Sequence, residues 1–192
     1  MENTQQWAAE ALAKCIDKYT WVAPLHRDEI PYTTDANGRY DALLQKHVRN
    51  GDQGLSWWTN GHWGGIMWQM YSLTGNEMFK DVANSCETLL DQTFVDYYGL
   101  HHDVGFMWIA TAVNNYRLTG NLESRKRALH AANLLVGRLN VAGGFIRAWN
   151  DRPGSGQNTI GWAIIDCMMN LPLLYWATAE TGDPRYKHAG MM

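Results

Sequence analysis

Leu73-Thr74-Gly75-Asn76, Leu118-Thr119-Gly120-Asn121 and Glu180-Thr181-Gly182-Asp183-Pro184 repeat one device three times along this 192-residue chain. Glycine takes the left-handed conformation that ends a helix, and the Asn or Asp after it caps the next helix. Each copy therefore joins two helices by a turn of a few residues. The three glycines are 45 and 62 residues apart, so the repeat is irregular, but its unit is a helical hairpin. Outward from these turns, apolar positions recur at helical spacing and no convincing alternating strand appears. The pattern predicts helices near 5–19, 62–74, 77–96, 104–118, 122–139 and 164–180, with a seventh starting at Pro184. A long connection from Val22 to about Gly54 separates the first two.

The links alternate in length. Thr-Gly links are short, whereas those leading into the second, fourth and sixth helices are long and rich in aromatic, His, Asp and Gly residues. All the long links should open on one face of a ring of hairpins, where loops build a site. Three segments then converge there: Trp57-Trp58-Thr59-Asn60-Gly61-His62-Trp63, His101-His102-Asp103-Val104-Gly105-Phe106 and Gly161-Trp162-Ala163-Ile164-Ile165-Asp166.

A net charge of −3 offers no basic surface for nucleic acid. The longest apolar stretches, such as Leu171 to Ala179, fall well short of the roughly 20 residues of a membrane span. The N-terminus lacks the basic and apolar regions of a secretory signal. Cys15, Cys86 and Cys167 are few, odd in number and widely spaced, which fits reduced thiols in a cytoplasm. Ten Trp and nine Tyr are many for this length, and aromatic faces stack on sugar rings as readily as they fill helical cores.

Asp103 and Asp166 are the acid/base candidates, since sugar chemistry needs a positioned carboxyl to deliver a proton. The plainer readings are that Asp103 caps the fourth helix and that Asp166 is a satisfied polar group in the first turn of the sixth. Asp166 lies between Ile164-Ile165 and Cys167-Met168-Met169, and a carboxyl among apolar neighbours is costly unless hydrogen-bonded or protonated. His101-His102-Asp103 has metal-ligand chemistry, but adjacent residues seldom converge on one ion and no His-Glu-x-x-His pattern exists. No metal is expected. No dinucleotide fingerprint, P-loop or nucleophile elbow is present, so no cofactor is expected either.

Trp58-Thr59-Asn60-Gly61-His62-Trp63-Gly64-Gly65, the run at 101–106, Ala148-Trp149 and Ile164-Ile165-Asp166-Cys167-Met168-Met169-Asn170-Leu171 together resemble the unsaturated glucuronyl hydrolases of glycoside hydrolase family 88, in order and approximate spacing. The resemblance implies an all-α fold, an (α/α)6 barrel of helical hairpins, with residues 1–192 forming a single partial domain and about half of the toroid. It implies release of a 4,5-unsaturated uronic acid from lyase-generated oligosaccharides by hydration of the vinyl ether double bond. The residue matching Asp166 protonates C4 and activates the water that adds at C5, while that matching Asp103 is the second carboxylate, holding sugar hydroxyls. Trp58, Trp149 and His102 match substrate-pocket positions, and Asn60 and Trp63 join them as candidates. Asn60 and His62 stand where the family leads one to expect Asp and Phe.

Two other readings remain at this stage. An unsaturated rhamnogalacturonyl hydrolase would act on pectin fragments, and a half-barrel could bind sugar without turnover. A half-barrel would also expose apolar hairpin faces, so self-association is expected.

Overall fold

A computed structural model describes residues 2–42, 54–151, 154 and 156–192, with side chains from residue 4 onward. The middle of the long connection, residues 43–53, and Ser155 in the Gly154-Ser155-Gly156 loop lie outside it. The helices are α1 (Glu2–Leu25), α2 (Asn60–Thr74), α3 (Glu77–Leu90), α4 (Gln92–Val95), α5 (Val104–Ala110), α6 (Ala112–Thr119), α7 (Leu122–Val136), α8 (Cys167–Thr181) and α9 (Pro184–Met191).

The three turns are built alike. Gly75, Gly120 and Gly182 have φ of 68°, 75° and 74°, and each donates its N–H to the carbonyl four residues back. The preceding Thr74, Thr119 and Thr181 hydroxyls also bond back four residues, to Met70, Asn115 and Ala177, and accept from the N–H two residues on. Asn76, Asn121 and Asp183 then cap the next helix, accepting from Met78, Glu123 and Arg185. Each turn thus satisfies both helix ends with three residues.

Helices α2, α5 and α8 pack side by side in an inner row, and α1, α3, α7 and α9 lie outside them. Small residues set the spacing of the inner row. A Cβ on Gly61 would stand 2.4 Å from Met107 Cα, and one on Gly105 would stand 2.4 Å from Asn170 Cα. Trp68, Trp108, Phe79, Met67 and Leu135 fill the layer between the rows.

Several boundaries differ from expectation. Helix α1 runs on to Leu25 through Pro24. The predicted helix 104–118 is two helices, because Thr111 leaves helical conformation (φ −101°, ψ −85°) while its hydroxyl bonds Met107 O at 2.6 Å. Such back-bonding bends helices. The helix expected to reach residue 96 stops at Leu90 and restarts as α4, and that expected over 122–139 ends at Val136. Two short antiparallel pairs, missed in the sequence, are present: β1 (Thr33–Thr34) with β2 (Tyr40–Asp41), and β3 (Leu139–Asn140) with β4 (Phe145–Ile146). At two residues each they are too short to show alternation.

Met168, Met169 and Tyr175 are exposed on α8, as is Ile165 just before it, while Leu173, Leu174, Trp176 and Ala177 are buried. This helix is apolar all round. Among the described residues, no helix is long and apolar enough to cross a membrane.

Candidate active site

The long links do gather on one face. They enclose a cleft of about 470 Å³ lined by Trp57, Trp58, His101, Asp103, Phe106, Trp149, Asn150, Gln157, Thr159 and Asp166. Trp58 and Trp149 are each 37% exposed, so their ring faces are available to a flat ligand. Trp58 leans on Phe106 and His62, and Trp149 on Trp162.

Asp103 and Asp166 approach the floor of this cleft from the N-terminal ends of α5 and α8, with His102 close to both. His102 Nε2 lies 3.2 Å from Asp103 Oδ1 and 3.6 Å from Asp166 Oδ1, and His101 Nδ1 lies 3.2 Å from Asp103 Oδ2. His102 is fully buried. Burial, reinforced by the Arg138 charge, pushes its pKa down to about 4, so the imidazole is neutral at physiological pH. Its approaches to the carboxyls are therefore not ion pairs.

Asp103 is the more perturbed carboxyl. Burial, then the charge of Asp166, raises its pKa to about 7 against the opposing influence of the Asn170 amide and Arg138. Asp166 is also raised by burial, but backbone N–H groups at residues 166 and 167 work against it and its side chain is 38% exposed. The sequence places Asp166 in apolar surroundings. The structure corrects this: Ile165, Met168 and Met169 turn away from it into solvent. Of the two carboxyls, Asp103 is thus the one that holds a proton closer to neutrality.

Both aspartates stand at the N-cap position of their helices, but neither makes a side-chain cap bond. Both have αR backbone (Asp103 φ −65°, ψ −4°; Asp166 φ −66°, ψ −13°) and neither side chain bonds the first turn of its helix in the manner of Asn76, Asn121 and Asp183.

Two expected pocket residues lie elsewhere. Asn60 is 1% exposed and its amide donates to Gly54 O and Leu55 O, pinning the turn that leads into α2. Trp63 is 6% exposed and packs edge-on against Tyr19, His26 and Tyr40. Asn60, Trp63, Met67 and Met70 share the core side of α2, a phase readable from their spacing. His102 sits beneath the floor, behind the lining residues.

The sequence reading also missed the lashing that holds the cleft. The Arg138 guanidinium donates to Arg147 O, Ala148 O and Asn150 Oδ1, while the Asn150 amide donates to Tyr98 O and Leu100 O. His102 N–H closes the seam on Ala148 O. The Trp149 loop and the Asp103 loop are thus tied together over 50 residues of sequence. The side chains of His101, His102 and Asp103 offer donor atoms within 4.8 Å of one another, so adjacency in sequence does not keep them apart.

Fold and cleft together define a partial α/α toroid with an aromatic-walled pocket that holds two carboxyls. The unsaturated glucuronyl hydrolase of Bacillus sp. (strain GL1) is 35% identical over 161 residues, covering 83% of this chain and 40% of the relative. The unsaturated chondroitin disaccharide hydrolase of Streptococcus pyogenes serotype M1 is 38% identical over 131 residues, covering 68% of this chain and 32% of the relative. Among solved structures, the Bacillus sp. GL1 unsaturated glucuronyl hydrolase matches with a TM-score of 0.76 and 30% identity over 97% of this chain and 46% of its own. An unsaturated glucuronyl hydrolase specific for heparin matches with the same TM-score at 27% identity, over 97% of this chain and 46% of its own. No protein-family model matches the chain. The chain belongs to the unsaturated glucuronyl hydrolase family and spans less than half the length of these relatives.

Proposed function

We propose that residues 1–192 form one partial toroid domain carrying the acid/base cleft of an unsaturated glucuronyl hydrolase that acts on glycosaminoglycan-derived oligosaccharides. The observation that carries this reading is the coupled Asp103/Asp166 pair at the floor of a cleft walled by Trp58 and Trp149. The sugar stacks between the indoles. Burial and the charge of Asp166 raise the Asp103 pKa to about 7, so this carboxyl exchanges a proton close to neutrality. The substrate carboxylate, arriving beside the half-open Asp166, favours its protonated form. Asp166 then gives the proton to C4 of the vinyl ether, and its carboxylate takes one back from the water whose oxygen bonds C5. The hemiketal so formed opens and releases the neighbouring sugar. Asp103 holds the sugar hydroxyls and sets the charge beside Asp166.

Incubating the chain with an unsaturated chondroitin disaccharide should bleach the ultraviolet absorbance of the vinyl ether. Asp166→Asn should reduce the rate by about 10²- to 10⁴-fold, the range for a general acid/base. Undiminished turnover in that variant sinks the assignment of the acid. Calorimetric binding without bleaching by the parent chain would favour a sugar-binding module instead, and a pectin fragment consumed in preference would favour the rhamnogalacturonyl class.

The free thiols Cys15, Cys86 and Cys167 support a reducing, cytoplasmic setting. The bare side of α8 supports self-association, to be read as a concentration-dependent mass in light scattering that Met168→Lys with Met169→Lys lowers.

A further inference from the structure

We infer that Asn170 is a positioning residue that caps α5 in place of Asp103 and thereby leaves the Asp103 carboxyl facing the cleft. An aspartate before a helix ordinarily turns back to bond the second or third N–H of the first turn. Asp103 occupies that place before α5 without making the bond. The third N–H, that of Phe106, donates instead to Asn170 Oδ1 at 2.8 Å, across 64 residues of sequence. Asn170 is fully buried in the second turn of α8, and its Nδ2 donates to Asp166 O at 3.3 Å. One side chain therefore holds the first turn of the helix behind one acid and the backbone of the other acid. Gly105 is what permits this approach, since a Cβ there would stand 2.5 Å from Asn170 Oδ1.

Asn76, Asn121 and Asp183 supply the internal contrast. They have extended backbone, ψ near 110°, and their side chains do cap. Asp103, with ψ of −4°, is held in αR, and its Oδ1 has no hydrogen-bond partner among the described residues. The groups facing its carboxyl are His101, His102, Asp166, Arg138 and Cys167, besides the Asn170 amide. None of them is a backbone N–H of α5. Supplying the cap from α8 resolves a conflict that a helix-leading acid otherwise faces, because a capping carboxylate turns back onto its own helix, whereas Asp103 lines the cleft.

The test follows individual amides and carboxyls by nuclear magnetic resonance in the 192-residue chain, and only its kinetic arm rests on the hydrolase reading. In the parent, the Phe106 amide is protected from exchange and Asp103 titrates well above an ordinary carboxyl. In Asn170→Ala, Asp103 is expected to swing back onto the vacated N–H, so its titration falls and the Phe106 or Gly105 amide shift follows that titration. The linkage disappears in Asn170→Ala with Asp103→Asn. Asn170→Asp keeps the acceptor and adds a like charge, so Phe106 stays protected and Asp103 titrates at or above its parental pH. Opposite movements in the two variants are not produced by loosened packing.

An unchanged Phe106 amide in Asn170→Ala overturns the inference, as does lost protection with no amide titrating alongside Asp103. If the Ala variant does not fold, the Asp variant decides: an unprotected Phe106 or a lowered Asp103 titration overturns it. In the kinetic arm, Asn170→Ala should lower kcat by about 100-fold with KM little changed, as for a misplaced catalytic group. A parent without turnover would count against the hydrolase reading and leave the resonance arm to judge Asn170.

Discussion

Asp103→Asn is expected to abolish turnover while making the chain more stable above neutral pH. The acid is nearly isosteric with the amide, so the cleft keeps its shape, but the titrating carboxyl beside Asp166 is gone; a rate loss of about 10²- to 10⁴-fold follows for a pair acting together. Stability moves the other way. Because the folded chain holds the Asp103 proton up to about pH 7 and the unfolded chain releases it near 4, the folded state is progressively disfavoured as pH rises through that window. The cost, at most about 4 kcal/mol for this displacement, is complete above the folded value and absent below the unfolded one.

His102 has the opposite sign. Its folded pKa of about 4 lies below its ordinary 6.5, so stability is gained as pH rises through that window. In the parent the two slopes largely cancel between pH 4 and 6.5, and stability then falls toward pH 7. In Asp103→Asn the falling Asp103 limb is gone, which leaves the rising His102 limb together with the fall contributed by the raised Asp166. Melting temperatures across pH 4 to 8 should therefore coincide near pH 4 and diverge by several degrees at pH 8. Parallel curves for parent and variant would show that Asp103 is an ordinary carboxylate in the folded chain.

The largest stability loss should come from Arg127→Ala, far from the cleft. Glu87 is 1% exposed on α3, and Arg127 of α7 reaches it at 3.1 Å while gripping both oxygens of Asp91 at 2.6 Å. Asn115 of α6 donates to the other Glu87 oxygen at 2.9 Å. Three helices thus share one buried charge. Removing Arg127 leaves the Glu87 carboxylate buried with a single neutral donor, a change worth about 3–5 kcal/mol. Urea denaturation should show the midpoint fall, and Arg127→Met with Glu87→Met should recover most of it, because an apolar pair carries no desolvation penalty. No recovery would mean that the arginine stem, not the charge pair, holds α3 to α7.

Much of this was readable from local chemistry. The Thr-Gly-Asn turns depend only on residues within four of one another, so their sequence predicts their hydrogen bonds. Alternation of short and long links likewise places the cleft on one face, since a hairpin has two ends. Trp58, Trp149, Asp103 and Asp166 follow from that face and from the family resemblance. Asn60 and Trp63 share the stretch of sequence that holds Trp58 but do not line the cleft. Helical phase turns them to the core while Trp58, just before the helix, stays in the cleft.

Residue identity and short-range spacing determine the helices, their turns and the cast of the cleft, because backbone conformation and capping are settled within a few residues. Packing alone decides which acid is buried, that His102 lies beneath both acids, and that Arg138, Asn150 and Asn170 hold the site together. Those properties are sums of desolvation and contacts that include partners far apart in sequence, such as Asn150 with Leu100 and Phe106 with Asn170. The apolar residues beside Asp166 illustrate the difference: in sequence they surround it, and in the folded chain Ile165, Met168 and Met169 are exposed, leaving Asp103 as the more buried carboxyl, its pKa raised to about 7.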